Sequence, residues 1–248
     1  MPGTLSAPVP VTLLSGFLGS GKTTMLKHML ENKEGLKIGM VVNDVASVNI
    51  DSRLIREGKG DGSWMENTVE LQNGCACCSA SEDFIRAVAD LVQMGEIRGQ
   101  KWDHIVVEAS GVAEPKVIRD LFQELEAMAE SPGALINFAR LDTMVTVVDA
   151  SVFLKAYLSS DAAIDSPEFA FASEEEVAMG AQDIAAYRPI VDLLVEQIEC
   201  ADIIVVNKRD LMRPEQVKTL SEILRTLNPH AKVHPRETKS EKQFCVFR

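Results

Sequence analysis

The sequence predicts an α/β fold, a mostly parallel, doubly wound sheet flanked by helices. Two observations carry this. Short, near-continuous apolar runs recur along the chain (Val9 to Leu14, Leu36 to Asn43, Asp103 to Glu108, Asp202 to Val206), as strands buried on both faces require. Stretches of helical period lie between them, as parallel crossovers demand.

The first apolar run, Val9 to Leu14, leads directly into Gly16-Phe17-Leu18-Gly19-Ser20-Gly21-Lys22-Thr23-Thr24, a G-x-x-x-x-G-K-T loop. A polyphosphate needs backbone N–H groups converging on it, and Gly16, Gly19 and Gly21 allow the main chain to come that close. Lys22 is placed to reach the outer phosphates as a point charge and is a catalytic candidate. The Thr23 hydroxyl is placed to ligate a phosphate-bound magnesium, with Ser20 and Thr24 completing the nucleotide-binding set. Strand, phosphate loop and helix together make the fold a P-loop NTPase.

The first helix is expected over Thr24 to Asn32, and the second strand over Leu36 to Asn43. Asp44 then stands at a strand's carboxyl end, where doubly wound sheets bind ligands, so Asp44 to Ile55 is a candidate mobile loop over the nucleotide and Asp44 a catalytic candidate. Gly58 to Ser63 reads as loop and Thr68 to Leu71 as a short strand, followed by Asn73-Gly74-Cys75-Ala76-Cys77-Cys78. A helix is expected from near Ser79, with Ser79 or Ser81 as N-cap and Phe84, Val88, Leu91 and Val92 as its apolar stripe. The next strand, Asp103 to Glu108, delivers Glu108-Ala109-Ser110-Gly111 to the same sheet edge. This fits an element that senses the terminal phosphate: Glu108 would hold magnesium through water, and Gly111 would offer its N–H to the γ-phosphate.

Glu114 to Glu130 has helical period, ended by Ser131-Pro132-Gly133, and Thr143 to Val148 is a strand ending at Asp149. Ser159 to Ala186 is small and acidic, with the run Glu174-Glu175-Glu176, and reads as an exposed, mobile insertion. A helix over Pro189 to Glu199 feeds the strand Asp202 to Val206 and then Asn207-Lys208-Arg209-Asp210. The Asp210 carboxylate matches the N1–H and N2–H2 donors of guanine, whereas adenine presents an acceptor at N1. Lys208 would lay its stem along the base, and Asn207 would tie this loop to the phosphate loop. A helix over Pro214 to Leu227 and a short strand near Lys232-Val233 close the fold. Pro229 and Pro235 bracket His230 and His234, which are read as loop residues.

The 248 residues, 46% hydrophobic and 25% charged, suffice for one α/β core. A net charge of -12 repels phosphodiester backbones, so no nucleic-acid partner is expected. No apolar run approaches the roughly 20 residues that span a bilayer, so no membrane partner is expected and the cytoplasm is the expected location. Of five cysteines, three crowd into four positions, which argues against a disulfide framework. A turn opened by Gly74 can aim Cys75, Cys77 and Cys78 at one tetrahedral ion, zinc or Cu(I), with metal–sulfur distances of about 2.3 Å. Buried or redox-active thiols are the other reading. Cys200 is expected in the core and Cys245 in the tail.

Taken together, Gly16 to Thr24, Gly74-Cys75-Ala76-Cys77-Cys78, Glu108 to Gly111 and Asn207 to Asp210 resemble the CobW family of P-loop GTPases, the metallochaperone group that includes the eukaryotic zinc-regulated members. Asp149 and Asp192 to Ile198 are softer matches, and Asn43 to Asp51 is similar to the family's first switch, with Ser47 where that family usually has Glu. The resemblance implies a GTPase that converts GTP to GDP and phosphate with Mg2+, and that couples nucleotide state to binding and transfer of zinc. It further implies a metal-requiring acceptor protein, and a homodimer is one assembly the sequence leaves open. An N-terminal extension is expected over 1–8, the GTPase domain over 9–234 with the acidic insertion at 159–186, and a tail over 235–248 in place of the family's C-terminal domain. A nucleotide-dependent metal sensor with incidental hydrolysis is the alternative. Asp210 argues against an ATP-dependent small-molecule kinase.

Overall fold

The computed structural model describes residues 7–30, 36–42, 68–70, 80–127, 137–159, 161 and 188–236. Seven strands form one sheet: β1 (Val9–Ser15), β2 (Ile38–Val42), β3 (Thr68–Glu70), β4 (His104–Glu108), β5 (Ala139–Asp149), β6 (Ile203–Asn207) and β7 (Lys232–Pro235). They are ordered β3-β2-β4-β1-β5-β6-β7, and every pairing is parallel. The helices are α1 (Lys22–Leu30), α2 (Ala80–Ile97), α3 (Pro115–Ala127), α4 (Ala150–Tyr157), α5 (Ile190–Glu199) and α6 (Pro214–Leu227).

Strand alternation divides the core between the two faces of the sheet. On one face Leu13, Ile105 and Val107 pack with Phe84, Leu91, Trp102 and Phe122 from the α2 and α3 side, where the Phe84 and Phe122 rings meet edge-on at 5.7 Å. On the other, Leu14, Val106, Val145 and Val205 pack with Met25, Leu26 and Met29 of α1. A third cluster joins Val148, Ile204 and Val206 to α4, α5 and α6 through Phe153, Leu193, Ile198, Leu220 and Leu224. Each fully buried side chain of this size is worth about 1.5–3 kcal/mol against exposure, so the sheet centre is the stable frame on which the site rests. Between β1 and β4, Thr12 Oγ1 and His104 Nε2 form a buried hydrogen bond of 2.7 Å, and burial lowers the His104 pKa to about 4.

The expected elements all occur where they can be compared, with differences at their limits. α1 begins at Lys22, two residues earlier than expected, because the phosphate loop passes straight into the helix. Ser81 lies inside α2 and is not its cap. β5 begins at Ala139, longer than its apolar run, because Ala139, Arg140, Leu141 and Thr143 also pair with β1, Asp142 being passed over at an irregularity in register. α4 was not foreseen. It starts because Asp149, the last residue of β5, accepts hydrogen bonds from Ser151 N at 2.9 Å and Ser151 Oγ at 2.6 Å and so serves as the helix N-cap while still in the strand. His234 belongs to β7, so Pro235 ends an edge strand instead of a loop. Cys200 is half-buried at the end of α5, packed on the core and in contact with Arg119 Nη1 at 3.7 Å, not enclosed. Among the described residues no helix is long and apolar enough to cross a membrane.

Candidate functional site

Because β1 runs between β4 and β5, with Leu14 beside Glu108 and Ser15 beside Thr146, the loops leaving these strands emerge at one edge. The β6 loop joins them, since Asp149 is paired with Asn207. Four segments separated in sequence are thereby brought to the carboxyl edge of the sheet, the edge where such sheets bind ligands.

The loop after β1 is shaped by backbone that only glycine adopts freely: φ is +135° at Gly16 and +102° at Gly21. A Cβ at Gly16 would collide with Val147 O, and one at Gly21 with Asn207 Nδ2, so any side chain there would unseat the loop from β5 or β6. Asn207 Nδ2 donates to Ser20 O at 2.9 Å, which is the tie expected of this asparagine. Ser20 Oγ is buried and has no hydrogen-bond partner among the described residues.

Lys22 is 8% exposed, and its Nζ donates to Gly16 O at 2.8 Å and Phe17 O at 3.3 Å. Burial pushes its pKa down to about 8, against which the nearby Glu108 carboxylate acts in the opposite direction. Thr23 Oγ1 donates to Oε1 of the buried Glu108 at 2.7 Å. A hydroxyl and a carboxylate side by side are the hard oxygen donors that suit Mg2+, and the orphaned Ser20 hydroxyl with the Lys22 ammonium suits phosphate oxygens. The residues present therefore fit a magnesium polyphosphate. Thr23 and, through water, Glu108 would hold the ion, which supplies charge neutralisation at the phosphates. Thr24 is exposed beside them.

At the other end of the site Lys208 takes the left-handed conformation, φ +58°. Its Nζ bridges the two loops, donating to Gly19 O at 2.9 Å and to Asp149 Oδ2 at 2.6 Å. Asp210 lies in a short 3-10 turn, Arg209–Leu211, on the exposed surface. Gly111 follows β4 and approaches the phosphate loop so closely that a Cβ on it would stand 2.5 Å from Leu18 Cδ2 and 2.8 Å from Leu18 N.

Lys22, Thr23, Glu108, Gly111, Asn207, Lys208 and the three loop glycines thus lie along one edge. Asp44, Cys75, Cys77, Cys78 and Cys245 fall outside the described residues. Among the described residues no group of three or more His, Cys, Asp and Glu side chains is placed to hold a metal ion.

Two residues were not read as site residues from the sequence. Asp149 anchors Lys208 while capping α4; its position at a strand's end was the available signal. Gln197 is 1% exposed on the face of α5 that otherwise presents Ile190, Leu193, Leu194 and Ile198, and it donates to Gly111 O and Ala113 O. A polar residue on an apolar helical stripe was its signal.

The sequence model of a family described as CobW/HypB/UreG, nucleotide-binding domain, matches residues 10–235. Zinc-regulated GTPase metalloprotein activator 1 of Dictyostelium discoideum is 38% identical over 233 residues, covering 91% of this chain and 45% of that protein. Zinc chaperone CobW of a Sinorhizobium species is 30% identical over 214 residues, 86% of this chain and 54% of that protein. The crystal structure of Zn(II)-bound YjiA GTPase from E. coli superposes with a TM-score of 0.57 at 25% identity, covering 97% of this chain and 60% of that one. The chain spans about half the length of the curated relatives it matches, 45% and 54%.

Proposed function

The chain belongs to the CobW/HypB/UreG family of nucleotide-binding domains, and from that premise we propose that it binds GTP with Mg2+, hydrolyses it to GDP and phosphate, and couples the nucleotide state to binding and transfer of zinc. The observation that carries the nucleotide half is the join between the two ends of the site. Asn207 and Lys208 both bond the phosphate loop, at Ser20 O and Gly19 O, so the element that reads the base and the element that holds the phosphates form one unit. In this reading water attacks the γ-phosphorus, the bond to the β–γ bridging oxygen breaks, and Lys22 stabilises the charge that develops on that oxygen and the γ-phosphoryl group. Asp44 and Glu108 serve the magnesium side, Gly111 senses the γ-phosphate, and Asp210 selects guanine by accepting from N1–H and N2–H2.

Zinc enters as cargo. Cys75, Cys77 and Cys78 are its ligands in this reading, supported by their spacing and by relatives named zinc chaperones and zinc-regulated activators. They lie in sequence between Asp44 and Glu108, the two residues assigned to the magnesium side, and that order is what supports coupling. A metal-requiring protein is the acceptor.

Calorimetric titration of zinc into the GDP form and into a form bound to a non-hydrolysable GTP analogue tests the coupling. The expected change in zinc affinity is about 5- to 150-fold, and by reciprocity zinc changes analogue affinity by the same factor. Cys→Ser variants at 75, 77 and 78 should lose zinc and the coupling but keep GTP. Identical zinc affinities in both forms would overturn the coupling, and equal affinity for ATP and GTP would overturn the nucleotide assignment.

A further inference from the structure

We propose that Gln197 is a positioning residue for nucleotide turnover, a latch that fixes the loop after β4 against the phosphate loop; the inference rests on the GTPase reading above. Its side-chain Nε2 donates to Gly111 O at 3.2 Å and to Ala113 O at 3.3 Å. Two carbonyls facing Nε2 settle the orientation of the amide, because a carbonyl oxygen in that place would be repelled by both.

The same residue is tied to the entry of the phosphate loop through its backbone. Thr146 Oγ1 donates to Gln197 O at 2.6 Å, which commits the only proton of that hydroxyl. Ser15 Oγ, 2.9 Å away, is therefore the donor to Thr146 Oγ1, and Ser15 immediately precedes Gly16. One buried chain of hydrogen bonds thus runs from the start of the phosphate loop, through β5 and α5, to the loop that carries Gly111. At its far end Gly111 stands against Leu18 of the phosphate loop, which closes the circuit.

The neighbouring residue of α5 reinforces the same grip. Arg188 Nη1 bonds both Glu114, at 2.5 Å, and Glu196, at 3.1 Å, so the segment from Gly111 to Glu114 is held to α5 at three points. Packing alone does not account for a glutamine here. Gln197 Oε1 is buried and has no hydrogen-bond partner among the described residues, a cost that methionine, of similar length, would avoid. The amide donors are what the position requires. Held downstream at Gly111 and Ala113, the loop leaves Glu108 set beside Thr23 and Gly111 set beside Leu18, so the parts that would meet the γ-phosphate and its magnesium are in register before nucleotide arrives.

The test uses the full chain with Gln197→Met and Gln197→Glu. Gln197→Met should stay folded, with its unfolding midpoint lowered by the two carbonyls it leaves unpaired, and keep its GDP affinity within about threefold, while kcat and the affinity for a non-hydrolysable GTP analogue relative to GDP fall about tenfold, the effect of misplacing a group that acts in the transition state. Gln197→Glu places a carboxyl opposite two carbonyl oxygens, which repel its ionised form; only the protonated acid donates to one of them. Its turnover should therefore rise relative to wild type as pH falls while its GDP affinity and unfolding midpoint do not rise in parallel, whereas a role in packing alone would move all three together through the cost of a buried carboxylate. A folded Gln197→Met with unchanged kcat and unchanged analogue-to-GDP ratio would overturn the latch. If Gln197→Met does not fold, a Gln197→Glu profile parallel to the wild type's would do so. Wild type that binds neither GTP nor GDP would instead overturn the underlying nucleotide reading, and with it the role of Gln197.

Discussion

At the phosphate end of the site the charges are buried, and at the base end they meet water. Lys22 and Glu108 are 8% and 7% exposed, whereas Asp210 sits on an exposed turn and the Lys208 side chain retains 29% exposure. The consequence is a division of labour. A buried ammonium whose pKa has dropped to about 8 is held at an electrostatic cost that an incoming phosphate would relieve, so in the proposed reading this end supplies affinity and rate. The exposed Asp210 carboxylate would, in the same reading, supply selection between bases when donors of the right pattern arrive.

Removing the buried charge gives the largest expected effect. Lys22→Ala should lower single-turnover hydrolysis by about 10³-fold, the scale of losing a preorganised group at a developing charge. Turnover within tenfold of wild type would place the catalytic charge elsewhere and break the contrast. At the base end, Asp210→Asn should weaken GTP by about 100-fold and favour xanthosine triphosphate, whose N2 position carries an acceptor, as read by competition binding. Undiminished preference for GTP would show that the base is read by another group.

A pH series sharpens the comparison further. Bound phosphate favours the charged form of Lys22, so its pKa rises on binding and nucleotide is taken up with a proton above pH 8. GDP affinity should be level below about pH 8 and then fall by at most about tenfold per pH unit as pH rises. In the nucleotide-free protein the sign is reversed. The unfolded chain binds more protons at Lys22 between pH 8 and 10.5, so this group's contribution to stability rises across that window. GDP affinity unchanged across that range would mean that Lys22 is not what the phosphate meets.

The smallest expected effect is at Asp149, whose ion pair with Lys208 is partly exposed. Asp149→Asn keeps a side-chain oxygen to cap α4 but removes the charge that holds Lys208, and should weaken GDP by about two- to fivefold, as such pairs are worth at most about 1 kcal/mol. Measuring inorganic triphosphate in parallel separates the two ends: equal losses for both ligands would assign Asp149 to the phosphate end.

What could be read from the sequence is what is local. Gly16 to Thr24 and Asn207 to Asp210 each gather their chemistry within a few consecutive residues, and the strand runs are visible because burial on both faces leaves no polar alternation. The grip of Gln197 on Gly111 spans 86 residues and that of Ser15 on Thr146 spans 131, so neither has a neighbouring partner to reveal it. α4 was missed for a different reason. Its signal was one capping aspartate that also ends a strand, and Asp149 was read in the second role alone.

The bond from Asn207 to Ser20 joins residues 187 positions apart, and this has a consequence for biosynthesis. The phosphate loop is made early, while the residue that seats it arrives roughly 10 to 40 s later at ordinary elongation rates of about 5–20 residues per second. Through that interval β1 also lacks β5, one of its two neighbours, for most of the wait. If the chain binds GTP as proposed, the nucleotide would stabilise the nascent chain fully only once β6 has emerged, because a ligand favours only the state that binds it. In the proposed reading, premature termination between residues 24 and 207 therefore yields a chain that has the phosphate-binding motif without the asparagine that seats it.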